Sequence, residues 1–234
     1  MVNRWEISIN VMAFQSIKMF TTNRLIKIVF NLTPNLNLSE NKISGIDISH
    51  HNKIKDWNKV KNSVNFVYIK ATEGMSLKDP KFQTHWEQAK KHGIRRGAYH
   101  YFVPNVSAKK QFDNFKNSVQ LSSGDLPPVI DVERKSIDMN EVNEWLRLAE
   151  EFYGVKPIIY SEYTVFKLFM NNKVNKNKLW LYFPDGYMLK PSFLNYECSF
   201  WQYNHSGKID GIDGHVDLDV FYGNPSDFEK LLKE

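Results

Sequence analysis

Cysteine is almost missing from this chain. Cys198 is the only one in 234 residues, which excludes an internal disulfide and a thiolate metal cluster. Long apolar runs are missing too: nothing approaches the roughly 18 apolar residues of a membrane-spanning helix. There is no internal repeat and no low-complexity tract. Charge of one sign is scarce, with a formal net charge of +5 from 31 basic and 26 acidic residues. No basic stripe interleaved with aromatics follows the pattern of a phosphate-backbone track, so nucleic acid is not an expected partner. The mild positive excess suits an acidic polymer. What the chain does hold is aromatic material, 16 Phe, 11 Tyr and 6 Trp. These rings can fill a core or line a groove, and the length fits one α/β barrel.

Residues 1–41 read as a leader or linker, either disordered or a weak export signal. Arg24-Leu-Ile-Lys-Ile-Val-Phe has a basic start, but Lys27 interrupts its apolar stretch and no small-residue cleavage site follows. Residues 42–234 read as one barrel domain. Eight strand signals are spread through it: Gly45–Ser49, Phe66–Thr72, Arg96–Phe102, Pro128–Glu133, Pro157–Ser161, Leu179–Phe183, Ser199–Tyr203 and Val216–Phe221. Helical patterns separate the earlier ones. Pro80 opens a helix that Gly93 stops. Ser107 is the expected cap of the next. Asp138-Met-Asn-Glu141 has capping-box spacing ahead of Val142, Trp145, Leu146, Ala149 and Phe152. Ser161 is expected to start another with Phe166 and Phe169. Residues 184–198 and 204–215 lack a helical period, so the closing strands are expected to pair partly antiparallel. The fold class is α/β, an incomplete TIM-like barrel with fewer than eight helices.

The chemistry-bearing stretch is Pro127-Pro-Val-Ile-Asp-Val-Glu133. Alternation puts Val129, Asp131 and Glu133 on one face, pointing into the barrel. Two carboxylates at i and i+2 stand about 7 Å apart along a strand. Charges confined to such an interior raise one another's pKa, and a raised carboxyl pKa is what a general acid at neutral pH needs. Asp131, if ionised, is expected to raise Glu133. Asp47 lies mid-strand in Gly45-Ile-Asp-Ile-Ser49, and Asp217 and Asp219 share a face of His215-Val-Asp-Leu-Asp-Val-Phe221. Three strands thus each aim an acid inward.

From Ile43 to about Phe221 these motifs, in this order, resemble the family-25 glycoside hydrolases, the barrel-type lysozymes or muramidases. The resemblance rests on Gly45-Ile-Asp-Ile-Ser-His50, Phe66-Val-Tyr-Ile-Lys-Ala-Thr-Glu-Gly74, Gly97-Ala-Tyr-His-Tyr-Phe102, Val129-Ile-Asp-Val-Glu133, Trp201-Gln-Tyr203 and Gly214-His-Val-Asp-Leu-Asp219. It implies an incomplete barrel. It also implies hydrolysis of the β-1,4 bond between N-acetylmuramic acid and N-acetylglucosamine in peptidoglycan, by a retaining or substrate-assisted route. Glu133 is then the implied proton donor, with Asp47, Asp131 and Asp217 as its acidic partners. Tyr99, Tyr101, Tyr160, Trp180, Tyr182, Trp201 and Tyr203, near strand ends, are the expected sugar platforms. No cofactor and no metal are implied; the expected protein is a monomer acting outside the cell or in its envelope. Three positions depart from the family pattern: His51 replaces a frequent Trp, Asp219 a frequent Asn, and Leu181-Tyr-Phe-Pro184 is a loose version of the sixth-strand end.

Other readings fit the same residues. A metal-dependent phosphodiesterase would use Asp47, Asp131, Glu133 and Asp217 as oxygen ligands. A wall-binding pseudoenzyme would have lost Asp131 or Glu133, and both are present. His50 and His51 match no strong metal signature. His100 reads as a buried, hydrogen-bonded histidine, and Lys70 with Glu73 as either an ion pair or a substrate contact.

Overall fold

The structure is a computed structural model that describes residues 42–171, 173–174, 178–182 and 198–234. Eight strands close into a barrel. They are β1 (Ser44–Ile48), β2 (Phe66–Glu73), β3 (Arg95–Tyr101), β4 (Val129–Asp131), β5 (Ile158–Glu162), β6 (Lys178–Tyr182), β7 (Cys198–Gly207) and β8 (Val216–Phe221). Each falls on one stretch expected from the sequence, though β4 takes up only half of its stretch, Pro128–Glu133. The pairs from β1–β2 through β6–β7 are parallel. Only β8 is antiparallel, to both β7 and β1. The expectation of a partly antiparallel closure therefore holds: β8 runs against β7 and β1, while β7 runs with β6. The connection between β6 and β7, residues 183–197, lies outside the described residues, as does the proposed leader.

Among the described residues six helical segments flank the barrel: α1 (Trp57–Val60), α2 (Phe82–Lys91), α3 (Ala108–Lys116), α4 (Met139–Tyr153), α5 (Tyr163–Val165, running into a π-helical turn at Phe166–Met170) and α6 (Pro225–Glu229). Gly93 and Gly154 follow α2 and α4 at positive φ, 72° and 68°, the left-handed stop their sequence positions predict. Asp138 caps α4 through Asn140 N–H at 2.9 Å. Glu141 does not complete the expected box; its carboxylate instead accepts from the Ala108 N–H. That contact does the capping expected of Ser107, whose side chain makes no cap hydrogen bond. Ser161 starts no helix: it lies inside β5, donating to the Val132 carbonyl at 2.7 Å. Phe152 is exposed, and Tyr153 takes the buried position.

Alternation along the strands gives the barrel two apolar layers. Val67, Ile69, Ala98, Ile130, Ile159 and Leu179 point outward under the helices. Phe66, Tyr68, Val129, Ile158, Trp180, Phe200 and Phe221 fill the interior. At the N-terminal end of the parallel strands Phe66 meets Phe200 at 5.2 Å between ring centroids, and Phe228 of α6 meets Phe221 at 5.2 Å. One level up, Tyr68 and Tyr160 flank Trp180 at 4.8 and 5.0 Å. Gly45 and Gly97 make room for this filling. A Cβ on them would stand 2.3 Å from the Phe66 ring and 2.1 Å from the Tyr68 ring. The aromatic plug leaves only the C-terminal end of the parallel strands open.

All eight barrel strands lie between residues 44 and 221. We therefore propose that residues 1–41 are dispensable for the barrel. A chain beginning at Lys42 should melt cooperatively and keep the turnover of the full chain. Insolubility or lost turnover in the shortened chain would contradict this.

Candidate active site

The open end holds a cleft of about 330 Å³. Asp47, Asp131, Glu133 and Asp217, from β1, the end of β4 and β8, all line it, as do Tyr99, Tyr101, Tyr160, Trp180 and Tyr182. The four acids expected from the sequence thus come together. Asp47 and Asp217 are direct cross-strand partners in the β1–β8 pair. Like charges opposite one another are destabilising in a sheet, and here two backbone irregularities in β8, on either side of Leu218, accompany them.

Strand β4 ends at Asp131, so Glu133 stands in the following loop rather than on the strand. The pairing continues one step, with Val132 N–H donating to the Tyr160 carbonyl at 2.9 Å, and this anchors the loop. Glu133 is consequently the exposed acid of the pair and Asp131 the buried one.

Burial is the first cause of a raised pKa at every one of these acids. Asp131 is held well above the ordinary carboxyl range by burial and then by Glu133, with Lys70 opposing. Glu133 is raised by burial and then by Glu162, while Arg134 and Lys70 pull it down. The expected push from Asp131 on Glu133 therefore runs the other way. Glu133 is among the causes that raise the deeper acid, while Asp131 is not among those that raise Glu133. Asp47 is raised by burial and by surrounding acids, Glu133 among them. Asp217 is raised to about 6, again chiefly by burial, with Glu133 adding to it and His205 opposing. The influence of Glu133 on both shows that the two sides of the cleft feel each other.

Gln202 was missed as a site residue. Its Nε2 donates to Asp47 Oδ2 at 3.1 Å, and its Oε1 accepts from the Tyr160 hydroxyl. The signal was present in Trp201-Gln-Tyr203: with Phe200 inward, alternation turns Gln202 inward and its two aromatic neighbours out. Trp201 and Tyr203 are accordingly not groove residues. Trp201 is 6% exposed in the outer layer, its ring 5.5 Å from Tyr203 and 6.1 Å from Tyr222. Ser49, His51 and His205 are further lining residues that the sequence reading assigned no site role. His205 Nδ1 lies 2.7 Å from the Tyr182 hydroxyl.

Of the two readings of Lys70, the ion pair is present: Lys70 pairs with Glu73 at 2.7 Å and also lines the cleft. His100 is structural, between Thr72 Oγ1 at 2.7 Å and Gln111 Oε1 at 3.2 Å, and burial lowers its pKa to about 4. His50 is turned to Asp79 at 2.8 Å. Among the described residues no three His, Cys, Asp or Glu side chains are grouped as metal ligands.

A mixed barrel with inward carboxylates and aromatic walls at its open end suits a glycoside hydrolase, whose chemistry takes paired carboxyl groups. The sequence matches the model of glycosyl hydrolases family 25 over residues 46–212. It is 37% identical over 201 residues to the uncharacterized protein YegX of Escherichia coli K12, covering 81% of this chain and 73% of that protein. It is 29% identical to lysozyme M1 of Streptomyces globisporus, covering 78% and 68%. A family 25 glycosyl hydrolase from Bacillus anthracis superposes with a TM-score of 0.74 at 30% identity, covering 83% of this chain and 95% of that one. The chain belongs to glycosyl hydrolases family 25, and it is a glycoside hydrolase.

The raised Asp217 has a consequence for stability. Its folded pKa of about 6 lies above the ordinary value near 4. The folded state therefore binds more protons than the unfolded state between those values, and stability falls as pH rises through them. Asp217→Asn should stabilise the protein by about 1–2 kcal/mol at pH 8, allowing for partial exposure, and by almost nothing at pH 3. Thermal melts at the two pH values check this; an equal gain at both would contradict it.

Proposed function

We propose that this enzyme cleaves the β-1,4 bond between N-acetylmuramic acid and N-acetylglucosamine in bacterial peptidoglycan, with retention of configuration. The observation that carries the reading is the meeting of Asp131 and Glu133 with Asp47 and Asp217 in one cleft walled by tyrosines. The choice of substrate is supported by relatives named lysozyme M1 and autolytic lysozyme, the second 32% identical over 188 residues and from Clostridium acetobutylicum. A wall substrate sets the place of action outside the cell or in its envelope.

Glu133 is the proton donor. It is the exposed acid, it lines the cleft, and its pKa is raised. A bound sugar that excludes water raises it further, because desolvation disfavours the charged form. Asp131 has an Oδ1 that is buried without a hydrogen-bond partner. We assign the cleft-lining edge of the Asp131 carboxyl to the N–H of the substrate's acetamido group. The acetamido oxygen then attacks the anomeric carbon as the glycosidic bond breaks, and Glu133 transfers its proton to the leaving oxygen. Water reopens the intermediate with Glu133 now taking a proton. Asp47 and Asp217, on the opposite wall, stabilise the positive charge that develops on the sugar ring. Tyr99, Tyr101 and Tyr182 flank the sugars, while Tyr160 and Trp180 lie deeper and hold the acids in place.

Glu133→Gln should lower turnover of purified peptidoglycan by at least about a hundredfold, the low end for general acid catalysis, with little change in melting temperature. The first product, observed by NMR within minutes, should keep the β configuration. Near-normal turnover by the variant would overturn the acid assignment, and inversion would overturn the mechanism.

A further inference from the structure

Asp219 has no part in the steps above, yet it is fully buried in the barrel. In register it stands opposite Gln202 of β7 on one side and opposite Gly45 of β1 on the other. Its Oδ1 accepts from Trp180 Nε1 at 3.1 Å, and an indole nitrogen can only donate. Its Oδ2 is buried and meets no donor.

The neighbouring acid, Asp47, is constrained in the same manner. Its Oδ2 accepts from Gln202 Nε2 at 3.1 Å. The Gln202 amide is oriented by the Tyr160 hydroxyl, which donates to its oxygen. Turned over, the amide would set oxygen against oxygen at Asp47. Donors thus enter from both ends, Trp180 and Tyr160, and the two carboxyl groups lie between them: Asp219 stands opposite Gly45, and Asp47 is two residues along the same face of β1. Two ionised carboxylates placed so, with no donor between them, repel.

We propose that Asp47 and Asp219 share one proton on the floor of the cleft, and that Asp219 is thereby a positioning residue for Asp47. The shared proton ties one edge of the Asp47 carboxyl downward while Gln202 ties the other, so its plane is fixed beside Asp217. The pair then carries one negative charge instead of two. The groups facing it are the phenols of Tyr68, Tyr99 and Tyr160 and the carboxyls of Asp131, Asp217 and, higher, Glu133. Burial leads the causes that raise both members of the pair, followed by neighbouring acids, which favours retention of one proton.

The turnover part of the test rests on the glycosidase reading; the spectroscopic part does not. Full-length protein, Asp219→Asn and Asp219→Ala are compared. Asn keeps an acceptor for Trp180 and offers an N–H to Asp47 in place of the shared proton. Asp219→Ala removes both and should lower kcat on purified peptidoglycan about tenfold or more, with KM little moved. Asp219→Asn should restore most of that loss. In infrared difference spectra at pH 7, Asp219→Asn should lack one protonated-carboxyl band of the parent while keeping its ionised-carboxylate intensity. Loss of an ionised-carboxylate band instead, or no carboxyl difference at all, would overturn the shared proton. Equal kcat loss in both variants, or no loss in either, would overturn the positioning role. If the parent cleaves no peptidoglycan, the proposed function fails, and the infrared comparison still decides the proton.

Discussion

Burial of carboxyl groups is the constraint around which this barrel is organised. Asp47, Asp131, Glu133, Asp217 and Asp219 crowd one end of it, and burial is the leading cause of a raised pKa at each. Water cannot solvate them from below, because Tyr68, Trp180, Phe66 and Phe200 occupy the interior. Such a cluster survives only if its members keep protons, take hydrogen bonds, or both. The structure supplies donors at fixed places: Trp180 to Asp219 and Gln202 to Asp47, with Tyr160 orienting Gln202. These are strand residues with no freedom to leave, and a preorganised site of this kind does not have to rearrange during reaction.

The antiparallel last strand contributes to this cluster. Reversed relative to its neighbours, β8 reaches the open end at its beginning, so Asp217 precedes Asp219 and Phe221 in order of depth. One strand therefore contributes a cleft acid, a buried acid and a ring of the plug. The cross-strand meeting of Asp47 with Asp217 costs stability, a common exchange at sites where function sets the residue.

Much of this was legible in the sequence. The eight strands show because their outward faces are apolar and their boundaries carry Gly, Pro and Asn. The four cleft acids show because an Asp or Glu inside an apolar run has no structural reason to be there. What escaped was less local. The assignment of Trp201 and Tyr203 to the groove followed from proximity to a strand end, whereas facing is decided by register with Phe200. Gln202 carries no charge and no ring, so its role appears only when Tyr160 and Asp47, 42 and 155 residues away, are brought beside it. The capping of α3 by Glu141 came from another helix, 33 positions on. The reversed influence between Asp131 and Glu133 depended on which acid was deeper, and that followed from β4 ending at Asp131.

The proposed reaction cuts the wall glycan on one particular side of each sugar. Digestion of purified peptidoglycan by the full-length protein, followed by reduction and mass spectrometry of the new ends, tests it most directly. N-acetylmuramic acid is expected at the reducing ends. N-acetylglucosamine at those ends, or release of peptides with the glycan intact, would contradict it.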